Sequence, residues 1–172
     1  MNEKCKSKMV AFLSVLVGIF FLQSNVCQAQ QEPKLDLRTT VEKEVKVLRD
    51  GKETKARVPI EKTNPGDVLV YTIVYRNIGS SQVTDAGIVN PVPSGVVYLS
   101  DTAEGQDAEI TLSIDNSRSW HKPPIMMQVK KKDGRIENQP VPMERYTHIR
   151  WIIKKPIQPG QSGQVRFKAN VK

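Results

Sequence analysis

The sequence predicts an all-β protein, and three observations carry that expectation. Residues 165–171 alternate without a break, Val165, Phe167, Ala169 and Val171 against Arg166, Lys168 and Asn170, which is the period-two mark of a strand with one buried face. Short apolar segments of the same kind recur along the chain between clusters of Gly, Pro, Asp and Asn. From Leu37 onward no stretch keeps apolar residues at a 3.6 spacing long enough for a stable helix. About eight strands at this spacing suit a sandwich of two antiparallel sheets.

In chain order, residues 41–48 and 54–60 read as the arms of a hairpin about Asp50-Gly51, because a two-residue loop wants positive φ at both central positions. Pro59 in the return arm has no N–H to give, so that arm belongs at an edge or ends there. After the turn Asn64-Pro65-Gly66-Asp67, residues 68–77 read as the central strand, apolar on both faces. Gly79-Ser80-Ser81 turns the chain and residues 83–89 return. Pro91 and Pro93 remove two donors, so a rigid connector without a regular ladder is expected over 90–95. Residues 96–99 read as a short strand, 104–107 as a polar loop, and 109–114 as a strand with Ile110, Leu112 and Ile114 on one face. A hairpin is expected around Asp133-Gly134, with Lys130, Lys131 and Lys132 solvated near its tip. In residues 147–153, Ile149, Trp151 and Ile153 share a face with Thr147, which assigns Trp151 to the core.

Lys4, Lys6 and Lys8 precede an apolar run over residues 9–22, and Cys27-Gln28-Ala29 offers a small-residue cleavage site. Residues 1–29 therefore read as a cleaved signal peptide, which places the mature chain in the periplasm, outside the cell or at its surface. The run falls short of the roughly 20 residues of a spanning helix, so no membrane span is expected once the leader is removed. Both cysteines, Cys5 and Cys27, fall within the leader, and the fold must hold together by an apolar core without disulfides. Residues 30–40 read as a short N-terminal extension and 41–172 as a single domain, a length ample for one core and thin for two. The formal charge of +8 includes the leader's lysines. What remains is spread lysine without an arginine-rich block, which reads as solvation, and nucleic acid is not an expected partner.

No constellation of acid, base and nucleophile is visible, so no catalytic residue, metal ligand or cofactor is assigned. His121 and His148 are the only imidazoles, and a catalytic zinc usually takes three protein ligands. Ser162 stands in Pro-Gly-Gln-Ser-Gly ahead of a strand, whereas a nucleophile elbow is Gly-x-Ser-x-Gly ahead of a helix. Asp101, Asp107 and Asp115-Asn116-Ser117 have the oxygens calcium takes, but these residues also form turns in their own right. Trp120, His121, Tyr146 and His148 remain as candidate ligand or partner contacts, Trp120 because an indole in a loop can stack on a sugar or anchor a protein.

Three pieces taken in order carry a family resemblance. They are Pro65-Gly66-Asp67 with the strand to Asn77-Ile78-Gly79, then Asn90-Pro91-Val92-Pro93-Ser94-Gly95-Val96-Val97-Tyr98, and Pro159-Gly160-Gln161-Ser162-Gly163 before the last strand. Together they resemble the bacterial conserved-repeat domain of the DUF-eleven family over residues 41–172, and Tyr146-Thr147-His148-Ile149-Arg150-Trp151 is similar to a segment of its single-domain secreted members. The resemblance implies an immunoglobulin-like sandwich at an extracytoplasmic address, with no catalytic residues attached. Two functions are then expected in turn. The first is a non-catalytic envelope module that binds an envelope or surface protein, or a second copy of itself, by pairing a sheet edge near residues 35–60. The second is a carbohydrate-binding module that uses Trp120, His121 and Tyr146.

Overall fold

The computed structural model describes residues 32–172. The expected leader lies outside the described residues. Eleven strands follow one another: β1 Leu35–Arg49, β2 Lys52–Pro59, β3 Val68–Asn77, β4 Ala86–Pro91, β5 Val96–Tyr98, β6 Glu104–Gly105, β7 Ala108–Ser113, β8 Met126–Lys130, β9 Ile136–Pro140, β10 His148–Ile153 and β11 Ser162–Val171. The larger sheet runs β2-β1-β3-β11-β5, with β6 also on β11; the smaller runs β4-β10-β7; β8 and β9 form a separate hairpin. Every pairing is antiparallel. The chain is an all-β sandwich, with more strands than the expected eight.

The two sheets meet through aromatic side chains. Phe167 of β11 stacks on Tyr71 of β3 at 4.6 Å and 9°, and Trp151 of β10 reaches Phe167 from the other sheet at 6.2 Å. Trp151 and Phe167 are both 0 % exposed, as the alternation around each of them predicts. On the outer side of β3, Val70 is 1 % exposed and Thr72 8 %. Both faces of the central strand are covered over residues 69–73, which accounts for the apolar run there, while Val74 at 39 % and Arg76 are exposed on the outer face.

The β1–β2 turn has φ of 52° at Asp50 and 73° at Gly51, the positive pair that a two-residue hairpin loop requires. Opposite ends of β1 do different work. Residues 35–44 pair with β3, while residues 42–49 pair with β2 on the other side, so the tip of the hairpin overhangs the sheet. Lys168 of β11 reaches across β3 to Glu44, which Lys55 of β2 also holds at 2.8 Å. Burial pushes the Glu44 carboxyl up, yet the two lysines outweigh it and hold the group below its ordinary value. Lys43 meets Asp67 at 2.7 Å, fixing the loop that carries the chain from β2 to β3.

Three expectations need correction. Residues 35–40, read as part of an extension, are the first half of β1, and the chain ahead of them lies against Gly79, where a Cβ would stand 2.2 Å from the Glu32 carbonyl oxygen. β4 continues through Pro91 rather than breaking at Asn90; it is the edge strand of the smaller sheet, where a missing N–H is tolerated. Within the expected loop 104–107, Glu104 and Gly105 pair with Arg166 and Val165.

Candidate functional site

The residues nominated by side-chain chemistry divide between two faces of the smaller sheet. His121 exchanges backbone hydrogen bonds with Leu112 of β7, 2.9 Å and 2.8 Å, which brings Trp120 alongside Ser113. On the outer face of the sheet the Arg150 guanidinium carbon stands 4.5 Å from the Trp120 ring centre, and Arg150 Nε donates to Thr111 Oγ1 at 3.0 Å. A cation–π contact therefore occupies one face of the indole. His148 lies two residues before Arg150 on the same strand, and its buried Nδ1 has no hydrogen-bond partner among the described residues. Tyr146 is turned the other way. It is 5 % exposed and packs edge-on against Tyr98 at 5.7 Å, inside the core, which removes it from a surface contact set.

The loop between β7 and Trp120 holds a carboxylate, a hydroxyl and an imidazole in sequence. Asp115 Oδ2 accepts from Ser119 Oγ at 2.6 Å, Oδ1 accepts from the Ser119 amide at 2.9 Å and from Ser113 Oγ at 2.7 Å, and Ser119 Oγ lies 2.9 Å from His121 Nε2. In a catalytic triad the imidazole stands between carboxylate and hydroxyl and takes the hydroxyl proton. Here the hydroxyl stands between and donates to the carboxylate, so the order differs from that of a triad and the hydrogen bonds tie the loop together. Hydrogen bonds from the Ser119 hydroxyl, the Ser119 amide and Ser113 hold the Asp115 carboxyl far below its ordinary value. Asp101, Asp107, Asn116 and Ser117 take left-handed backbone, φ 57°, 54°, 58° and 67°, as turn residues do. No group of three or more His, Cys, Asp and Glu suited to a metal ion is present among the described residues.

A polar cleft of about 580 Å³ opens at one end of the sandwich, lined among others by Tyr75, Glu104, Asp107, Ser162 and Arg166. Arg166 neutralises Glu104 at 3.3 Å. Burial first, and the Asp107 carboxylate second, push the Tyr75 hydroxyl above its ordinary value, so it remains a proton donor. Ser162 lines this cleft, but neither histidine does.

The remaining candidate is backbone. Ile78 N–H donates to the Lys34 carbonyl, so even-numbered residues entering β1 turn their backbone groups toward β3 and odd-numbered ones turn away. The far end agrees, since a two-residue loop makes Arg49 and Lys52 the closing hydrogen-bonded pair on the β2 side. β2 stops at Pro59, opposite Glu42. Over residues 35–41, then, the amides and carbonyls of Leu35, Leu37, Thr39 and Val41 face a side that has no strand among the described residues. Leu37 sits in the middle of this stretch and is 48 % exposed. Three other edges are guarded: β2 presents Lys55 and Arg57 and ends in proline, β4 carries Pro91, and His121 bridges β7. Sequence reasoning placed an edge near here but missed this stretch, because an open ladder is a property of the main chain. Pro59, which halts β2, was its one visible trace.

No family model, curated protein or solved structure matches the chain. No helix among the described residues is long and apolar enough to cross a membrane.

Proposed function

We propose that this chain is an exported, non-catalytic module of the cell envelope that works by protein–protein contact, accepting an extended strand on the open edge of β1 over residues 35–41. That edge is the observation that carries the reading. It offers a row of main-chain donors and acceptors, it is held rigid by β3 on its other side, and Leu37 gives an incoming strand an apolar side chain to cover. The basic n-region and apolar run of residues 4–22 support export. The resemblance to the conserved-repeat domain supports a surface or envelope address. Against the carbohydrate reading stand the guanidinium over Trp120 and the burial of Tyr146.

Thr39→Pro tests the proposal. The Thr39 N–H points to the open side, so proline there deletes an edge donor while leaving the β1–β3 hydrogen bonds in place. The variant is expected to fold with an unchanged circular-dichroism spectrum and to lose at least tenfold of whatever protein co-purifies with the wild type from the native envelope fraction. Unchanged co-purification by a folded Thr39→Pro protein contradicts the proposal.

A further inference from the structure

We infer that the strand received on the open edge of β1 is β1 of a second copy, paired antiparallel in one register, with Leu37 opposite Leu37. This rests on the edge reading above and names its partner.

The register follows from parity and charge. Because the odd-numbered residues face the open side, two copies hydrogen-bond only where odd meets odd. A register centred on Arg38 sets Arg38 directly opposite Arg38, and one centred on Asp36 sets Asp36 opposite Asp36; like charges face to face weaken an antiparallel pair. Centring on Leu37 removes both conflicts. Asp36 of each copy then stands opposite Arg38 of the other, twice by symmetry, while Leu35 meets Thr39 on either side of the Leu37 pair. Asp36 and Arg38 share the outer face of β1 and already contact one another within the chain, Arg38 Nε to Asp36 Oδ2 at 3.1 Å, so the exchange costs little. Their side chains are 38 % and 82 % exposed, leaving both free to reach across. On the opposite face the half-exposed Leu37 covers its own copy.

The ends of the pairing are also set. Pro33 has no N–H and closes the ladder opposite Val41, and β2 occupies the same side of β1 from Glu42 onward. The two-fold contact is isologous and self-limiting, since each copy uses the same stretch of β1 and no chain of subunits propagates through it. Its small area makes the dimer weak, with dissociation in roughly the micromolar to millimolar range.

Sedimentation-velocity ultracentrifugation of the exported protein over a concentration series tests this. The wild type should pass from monomer to dimer. Asp36→Arg should raise the dissociation constant about tenfold, since two favourable pairs become two repulsive ones. The double variant Asp36→Arg/Arg38→Asp restores the complement and should return the constant to within about twofold of wild type. A wild type monomeric up to about 1 mM overturns the inference. So does a dimer indifferent to Asp36→Arg, or one that the double variant does not restore. The edge reading fails separately: if the wild type stays monomeric while Thr39→Pro still removes a co-purifying protein, only self-pairing is lost, and if Thr39→Pro changes neither measurement, both are lost.

Discussion

Trp151→Ala lowers the unfolding free energy by about 4 kcal/mol, close to the whole stability of an ordinary domain. The indole is 0 % exposed, sits at the junction of the two sheets and packs on Phe167 at 6.2 Å, and no disulfide or metal among the described residues shares the load. Truncation leaves a cavity lined by the inner faces of β10 and β11, where paired strands on either side limit collapse. Trp151→Phe separates packing from polarity. The indole Nε1 is buried without a hydrogen-bond partner among the described residues, so phenylalanine retains a ring while removing an unsatisfied donor. Its cost is expected to be less than half that of alanine. Chemical denaturation of the three proteins measures both, and an alanine variant within about 1 kcal/mol of wild type contradicts this account of the core.

Asn77→Asp is expected to be nearly as damaging although it changes the side chain's shape hardly at all. Asn77 is 0 % exposed at the end of β3. Its Nδ2 donates to the Ser81 and Ile157 carbonyls at 2.8 Å and 2.9 Å, and its Oδ1 accepts from the Gly79 amide at 2.9 Å. One amide thus closes the turn out of β3 and fastens it to the segment before β11. An aspartate places a carboxylate oxygen against two carbonyl oxygens, losing two donors and burying a charge, for a loss of about 3 kcal/mol at neutral pH. Both the burial and the facing carbonyls oppose ionisation and raise the folded-state pKa of this carboxyl. The variant's deficit therefore grows as pH rises through the carboxylate range and is smaller near about pH 3 than at pH 7. Denaturant midpoints at the two pH values, each referred to wild type, check the sign; a deficit larger at the acidic end contradicts it.

The sequence disclosed those features whose cause is local. Asp50-Gly51 is a hairpin loop because both residues tolerate positive φ, and no tertiary contact is needed to say so. Trp151 could be assigned to the core because the alternation in residues 147–153 puts it with Ile149 and Ile153, and the buried face of that strand holds all three. The first half of β1 was hidden for the opposite reason. Asp36, Arg38, Thr39 and Thr40 give it little alternation, and Leu37 stays half exposed, so burial left no strong periodic mark there. β6 is two residues long and takes its pairing from β11, beyond the reach of any local pattern. Pro91 misled because its effect depends on whether its strand is central or at an edge, which only the sheet order decides.

The same distinction separates the two sets of candidate site residues. Trp120, His121, Tyr146 and His148 stand out by residue type, but the fold does not gather them in one pocket: Arg150 stacks on one face of Trp120, Ser119 contacts His121, the core takes Tyr146. The open edge is made of amides and carbonyls that every residue has, and it arises only because β2 ends opposite Glu42 while β1 runs on to Leu35.

Amide hydrogen exchange along β1 in dilute solution tests that edge most directly. Arg38, Thr40 and Glu42, whose N–H groups face β3, should exchange slowly, while Leu37, Thr39 and Val41 exchange fast, giving a protection pattern that alternates residue by residue. Equal protection of both sets would mean that the edge is already covered, and would contradict the account.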